Sequence, residues 1–340
     1  MTVAINARAA VRREIGGVER LAREMVERLP RLRPDRYRVV RPPDALAHRA
    51  GHAWEQAALP LIARDAQLVY SPANLAPLAS RRNVVVIHDV AALRHPDWYQ
   101  PLYVRYQRFM LPAIAHRARL VITVSEFSKR ELVEVLGAGA GRVAVVPNGV
   151  GERFTPDADP GTTRAAHRLE RPYVLVVGTR IARKNLGALR LAASRLAEHG
   201  VELVHAGSGR DYMRAEQAGG LRPLGYVSEE NLPGLYAGAL ALAMPSLYEG
   251  FGLPCLEAMA CGTPVVASNR GALPETCAPA GVLVDPDDEE ALAGELVLLA
   301  TDGERRAALA EASVAHAARF SWERTARETD AAIERALGDG

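Results

Sequence analysis

The chain has 340 residues, of which 49% are hydrophobic, 24% charged and only 5% aromatic, a composition of folded rather than disordered or fibrous proteins. Length alone predicts two domains at roughly 150 residues each, large enough to bury a core without metal or disulfide staples. The formal charge of +2 conceals a division: residues 1–150 carry 23 basic and 13 acidic side chains, and the remainder carries 19 against 27.

Candidate strands in the first half are Val3–Asn6, Tyr37–Val40, Leu68–Ser71, Val84–His88, Leu120–Ser125 and Val143–Pro147. Between them lie amphipathic stretches such as Glu19–Leu29, where Leu21, Met25, Val26 and Leu29 share one helical face. Strands spaced by helices in this way predict a parallel sheet covered on both faces. From Pro147 to Pro172 the alternation lapses into a stretch rich in proline, glycine and polar residues, which predicts a domain joint. The second half restarts with strands at Tyr173–Gly178, Glu202–Ala206, Ala241–Met244, Pro264–Ala267 and Val282–Val284. Helical patterns fall near Asn185–Leu196, Glu229–Tyr236 and Pro254–Ala260, and the last 50 or so residues read as mostly helical. The expected architecture is two open α/β domains facing a cleft, with ligands beyond the carboxyl ends of the strands.

Several function classes fall away. No apolar run approaches the roughly 18 residues of a membrane span, and the opening MTVAINARAA lacks a signal-peptide layout. Three cysteines, Cys255, Cys261 and Cys277, cannot all pair and lack zinc-like spacing, so a reducing compartment is expected. No G-x-G-x-x-G follows a strand: Gly178 stands alone, and Gly207 and Gly209 lack a third glycine. No P-loop motif occurs, and no aromatic–basic motif supports nucleic-acid binding.

The informative segment is Pro245–Gly262, PSLYEGFGLPCLEAMACG. Gly250 and Gly252 loosen the chain, and Pro254 suits the first turn of a helix. The N–H groups of Phe251, Gly252 and Leu253 would then form an anion site. Glu249 precedes this helix and Glu257 lies about one turn inside it. Carboxylates beside an anion site suit a ligand bearing both phosphates and hydroxyls. Asp285, Asp287 and Asp288 superficially offer a metal-binding D-x-D, but the EEALAGEL that follows reads better as a capped helix start.

The segment EGFGLPCLE resembles the E-x7-E element of family-4 retaining glycosyltransferases of the GT-B fold. Further blocks share the resemblance in order: Ile15–Val18, Trp54–Gln56, Ile87–Asp89, Val124–Lys129, Pro147–Val150, Val177–Thr179 with Arg183–Asn185, Leu224–Val227 and Gly262–Val266. The resemblance implies two Rossmann-like α/β/α domains, with a donor domain at 151–320 that binds a nucleotide sugar. It implies an acceptor domain at 1–150, completed by a C-terminal helix at about 321–340. The implied reaction is metal-independent, retaining transfer of a sugar to a glycan or lipid-linked glycan, with no cofactor beyond the nucleotide-sugar co-substrate. A GT-B nucleotide-sugar epimerase or hydrolase, and a non-catalytic nucleotide-sugar-binding subunit, are the alternatives. Donor base and sugar, acceptor and oligomeric state stay open.

The same resemblance distributes roles. Lys184, one of only two lysines in the chain, falls at the family's diphosphate-binding lysine. Arg183 competes evenly with a surface arginine. Arg180 follows the strand end in TRIARKN, where relatives often carry a proline before Arg-Lys. Gly16 and Gly17 open the first helix and would let backbone approach phosphate, against the reading of a simple turn. His88 would position and polarise the donor sugar rather than act as a proven base. Glu249 would orient donor-sugar hydroxyls and Glu257 the ribose, while Tyr226 and Val227 either border the base or pack after a strand. Trp54, Glu55 and Gln56 line the acceptor side or serve the core. A cytoplasmic protein is expected, with peripheral contact between the basic first domain and the inner membrane face as an open alternative.

Overall fold

The structure, a computed structural model, describes residues 2–12, 15–47, 50–207 and 220–338. Among the described residues the β-branched runs form twelve strands, and the chain divides into two compact units.

The first unit contains the residues up to Arg94, then Pro101–Gly149 and Trp322 onward. Its strands are β1 (Val3–Asn6), β2 (Tyr37–Val40), β3 (Leu68–Ser71), β4 (Asn83–Val86), β5 (Leu120–Thr123) and β6 (Val143–Val145). They pair in parallel in the order β2-β1-β3-β4-β5-β6, with Val3 opposite both Tyr37 and Leu68. β1, β3 and β4 are buried along their whole length, as strands covered on both faces must be. The helix Gly17–Leu32 turns Leu21, Met25, Val26 and Leu29 inward. Pro30 in its last turn does not stop it, so the helix runs three residues beyond the expected Leu29. The closing helix Trp322–Gly338 belongs to this unit and packs on Gly17–Leu32. Trp322 and Ile333 are fully buried, and Asp330 accepts from Tyr37 Oη at 2.6 Å and Arg33 Nε at 3.1 Å. Ion pairs Arg28–Glu323 and Arg36–Glu334 add to the seam.

The second unit comprises His95–Gln100 and Val150–Ser321. Residues 95–100 thus cluster with it rather than with the first 150, a departure from the boundary expected. The His95 ring lies 5.6 Å from that of Tyr248 and stacks on Trp98 at 4.0 Å. The strands are β7 (Tyr173–Val177), β8 (Glu202–Ala206), β9 (Arg222–Gly225), β10 (Ala241–Met244), β11 (Val265–Ser268) and β12 (Val282–Val284), parallel in the order β12-β11-β10-β7-β8-β9. β9 has no counterpart among the expected strands. It carries Pro223 at the sheet edge, where a strand tolerates a missing N–H. The supposed joint holds a helix, Pro160–His167, started by Asp159, whose carboxylate accepts from Gly161 and Thr162 N–H.

Each sheet reverses its direction of growth once, between β1 and β3 in the first unit and between β7 and β10 in the second. Strand-end loops separate at such points and leave room for a ligand.

Candidate active site

At the β7/β10 switch point the chain leaves β7 through Gly178, and the residues 182–184 form a short 3-10 turn. Gly178 has φ +142, and a Cβ there would lie 2.7 Å from Lys184 Cε. The glycine is therefore what allows the lysine to fold back over the strand end. Beneath it, a Cβ on Gly207 would sit 1.9 Å from the Gly178 carbonyl oxygen. His205 Nε2 also bonds that carbonyl, at 2.8 Å. Gly207 is thus a close-packing residue, and Gly209 lies outside the described residues.

Lys184 is 6% exposed and its Nζ lies 2.7 Å from Glu249 Oε1. Arg183 reaches the other carboxylate oxygen at 2.8 Å and the Tyr248 carbonyl at 3.0 Å. The ambiguity over Arg183 thus resolves toward a partly buried member of this cluster. Burial alone would raise the Glu249 carboxyl. Arg183 and Lys184, with hydrogen bonds from Lys184 and Ser246, outweigh it and hold the pKa down at about 2. The loop is backed by Gly271, at φ +64, where a Cβ would meet the Glu249 backbone at 2.8 Å, and Ala272 N–H donates to the Glu249 carbonyl. Ser246 and Gly271 were not among the sequence-derived candidates. A glycine in SNRGALP is the signal that could have found the second.

The helix expected at Pro254–Ala260 spans Leu253–Ala260, with Pro254 in its first turn and Gly252 at φ +101 as its N-cap. Phe251, Gly252 and Leu253 are buried, and their N–H groups have no hydrogen-bond partner among the described residues. The Phe251 carbonyl accepts from Thr276 Oγ1 at 2.5 Å, which turns the peptide and holds the loop. Glu257 is 2% exposed, not a surface helix residue, and accepts from Tyr236 Oη at 2.9 Å. Arg180 is exposed. Tyr226 is 49% exposed directly after β9, and Val227 is buried. Asp288 caps the helix Glu289–Thr301, and Arg270 bonds both Asp285 and Asp287. The apparent D-x-D is therefore a helix start with an arginine across its carboxylates.

In the first unit β4 ends at Val86, so His88 lies two residues beyond the strand rather than closing it. Its backbone is held on both sides: His88 N–H donates to Asn74 Oδ1 at 2.8 Å and Ser128 Oγ donates to the His88 carbonyl at 2.9 Å. Ser125 in turn caps the helix Glu126–Leu136 by accepting from Ser128 N–H. Burial lowers the His88 pKa, partly offset by the Pro72 carbonyl, Asp89 and Glu19. The imidazole is therefore neutral at neutral pH. Its Nε2 lies 3.2 Å from the Pro72 carbonyl, which can only accept. Nε2 carries the proton, and Nδ1 is left as an acceptor.

Gly16 is the N-cap of the helix that Gly17 opens, with φ −106, and its N–H already donates to Glu19 Oε2 at 3.0 Å. That amide is spent inside a capping box rather than offered outward. Trp54 is buried in an apolar cluster with Ala4, Leu59 and Val69, and Gln56 bonds the backbone of Ala76 and Leu78. Both serve the core. Glu55 alone of the three faces the β1/β3 strand ends.

Comparison with known proteins matches this layout. The profile of Glycosyltransferase Family 4 covers residues 15–154, and that of Glycosyl transferases group 1 covers residues 162–315. O-antigen chain mannosyltransferase B of Escherichia coli is 31% identical over 276 residues, which is 77% of this chain and 72% of that protein. The sucrose-phosphate synthase of Thermosynechococcus elongatus superposes over the full length of both chains with a TM-score of 0.78 at 20% identity. HepE of Anabaena, solved with UDP-glucose, superposes with a TM-score of 0.72 at 20% identity over 98% of this chain and all of its own. At such identities the two structures establish the fold, and the mannosyltransferase establishes kinship. The chain belongs to the family-4 glycosyltransferases and has their GT-B fold.

Proposed function

We propose that this glycosyltransferase moves a hexose from a nucleoside diphosphate sugar to a hydroxyl of a glycan or lipid-linked glycan, with retention and without a metal ion. The second unit would hold the donor and the first the acceptor. The observation that carries the reading is the cluster at the β7/β10 switch point, where two cations converge on one ionised carboxylate beside three buried, unpartnered N–H groups. Breaking the bond between the anomeric carbon and the diphosphate leaves the electron pair on phosphate oxygen. Preorganised donors stabilise that developing charge. Lys184 and the Phe251–Leu253 amides are suited to this, and Arg183 holds Glu249 for them. Glu249, ionised and donor-hungry, suits sugar hydroxyls, and Glu257 with Tyr236 suits the ribose. His88 contributes a neutral ring whose Nδ1 accepts a hydroxyl hydrogen. The acceptor's proton passes to the leaving phosphate oxygen, so that attack and departure share one face and configuration is kept.

Metal independence is supported by the engagement of Asp285 and Asp287 with Arg270. A reducing compartment agrees with three buried, unpaired cysteines. A lipid-linked acceptor agrees with the helix Pro101–Arg117, which exposes Leu102 and Phe109 beside Arg105 and Arg108. No helix among the described residues is long and apolar enough to cross a membrane.

The test is a panel of GDP-, UDP- and dTDP-sugars, read first by thermal stabilisation and then by transfer in the presence of EDTA. One sugar nucleotide is expected to raise the melting temperature and to be turned over in chelator with an α-linked product from an α-linked donor. Inversion, or turnover only with added Mg²⁺, overturns the mechanism.

A further inference from the structure

The β1/β3 switch point of the first unit holds a polar cluster that sugar transfer, as derived above, does not use. Asn6 ends β1 and Ser71 ends β3. Asn6 Nδ2 donates to Glu55 Oε1 at 2.6 Å and approaches Ser71 Oγ at 3.2 Å. Glu55, on the helix Gly51–Ala57, also lies 3.2 Å from Arg8 Nε and 3.8 Å from His52 Nδ1. Arg8 and Glu55 are 6% and 1% exposed; Arg8 Nε is committed to the ion pair, while Glu55 Oε2 has only the His52 ring, at 3.8 Å, and no close hydrogen bond among the described residues. Toward solvent the cluster is closed by His52 and Tyr106, both partly exposed, with rings edge to face at 6.4 Å. A buried ion pair is a poor way to stabilise a fold, since desolvation costs each ion several kcal/mol. One whose carboxylate keeps an oxygen without a close hydrogen bond, at a topological switch point, is placed for a ligand.

The charge balance selects the ligand class. Around Glu249 two cations face one carboxylate, a surplus that suits phosphate. Around Glu55 one guanidinium faces one carboxylate, so an anion gains little. A vicinal diol both donates and accepts, and matches a fixed guanidinium–carboxylate pair, while aromatic edges at the mouth cover the apolar face of a pyranose ring. We propose that this cluster is the subsite for a neutral sugar ring of the acceptor: Arg8 donates to the ring hydroxyls, Glu55 is the positioning residue that holds Arg8, and His52 and Tyr106 line the entrance. The assignment rests on the first unit being the acceptor unit.

Gly51 provides a probe that leaves the charges alone. A Cβ there would press on Arg8 Cγ and Cδ at 3.3 Å, while alanine favours the helix that Gly51 begins. The experiment follows methyl α-D-mannopyranoside, inorganic phosphate and UDP binding to the full-length protein by saturation-transfer NMR, with melting curves for each variant. The expectation is saturable glycoside binding that weakens at least tenfold in both Arg8→Ala and Gly51→Ala, with UDP affinity within twofold of wild type. Glu55→Gln should lose the glycoside tenfold and gain at least fivefold in phosphate binding, because Arg8 is left uncompensated. A merely structural glutamate would not produce that exchange. Glycoside binding that is unsaturable, or unchanged in Gly51→Ala and Arg8→Ala, overturns the proposal. So does an Arg8-dependent preference for phosphate in the wild type. Absence of any UDP response with the glycoside result intact would sink the donor assignment and leave this subsite standing.

Discussion

The two switch points are built to one plan with opposite chemistry. At β7/β10 a carboxylate is gripped by Lys184 and Arg183 within 2.8 Å, and close-packed glycines bring the lysine over the strand end. At β1/β3 a carboxylate meets a single arginine at 3.2 Å, with amide, hydroxyl and imidazole groups filling the remainder. Topology decides where each unit leaves room for a ligand. The count of cations around the central glutamate decides what kind of ligand belongs there.

The largest expected effect tests the surplus of charge. Lys184→Ala should lower kcat by about 10²–10³, the usual cost of deleting one preorganised donor to a developing anion, with melting monitored because Glu249 then keeps only Arg183. Turnover within fivefold of wild type would break the contrast. Next comes the packing beneath the lysine. Gly207→Ala drives a methyl into the Gly178 carbonyl and should destabilise by roughly 3 kcal/mol or more, whereas Gly51→Ala should change stability by less than about 1 kcal/mol. Equal melting temperatures for the two variants would refute the distinction. Acid unfolding comes third. Glu249 has a folded pKa of about 2 against an ordinary 4.5, so its contribution is full above pH 4.5 and fades as pH falls through that window toward 2. The stake is of the order of a few kcal/mol, and Glu249→Gln should flatten this part of the stability–pH curve. His88, whose folded pKa is lowered, contributes fully only above its ordinary 6.5, and its share declines as pH drops below that. Smallest is Ser128→Ala, which strips the donor from the His88 carbonyl and should cost about 1–2 kcal/mol with a modest fall in kcat and no change in UDP binding. A loss of UDP affinity there would show that Ser128 does more than hold the histidine.

Local signals carried most of the architecture. Eleven of the strands follow from β-branched alternation with ends shifted by at most two residues, and the acidic helix start at Asp288 is a cap that side-chain geometry bears out. The edge strand at Arg222–Gly225 escaped because Pro223 argues against a strand unless its edge position is known. Lys184 stood out by its match to the family's diphosphate-binding lysine, and Glu249 by the glycine–proline turn that follows it. Their direct pairing was not legible, since 65 residues separate them and nothing local demands the contact. Pairings at such separations, Asn6 with Glu55 among them, exist only once parallel strands set their ends side by side. The same holds for Gly207, whose need to be glycine comes from the neighbouring strand and not from its own turn.

The helix Trp322–Gly338 has a consequence for biogenesis. It completes the first unit, yet the ribosome produces it only after the whole of Val150–Ser321. At about 5–20 residues per second that interval is roughly 10–30 s, during which the groove awaiting Trp322 and Ile333 is uncovered. The second unit can fold from one continuous stretch plus a six-residue insert, and the first must wait until Trp322–Gly338 has been made.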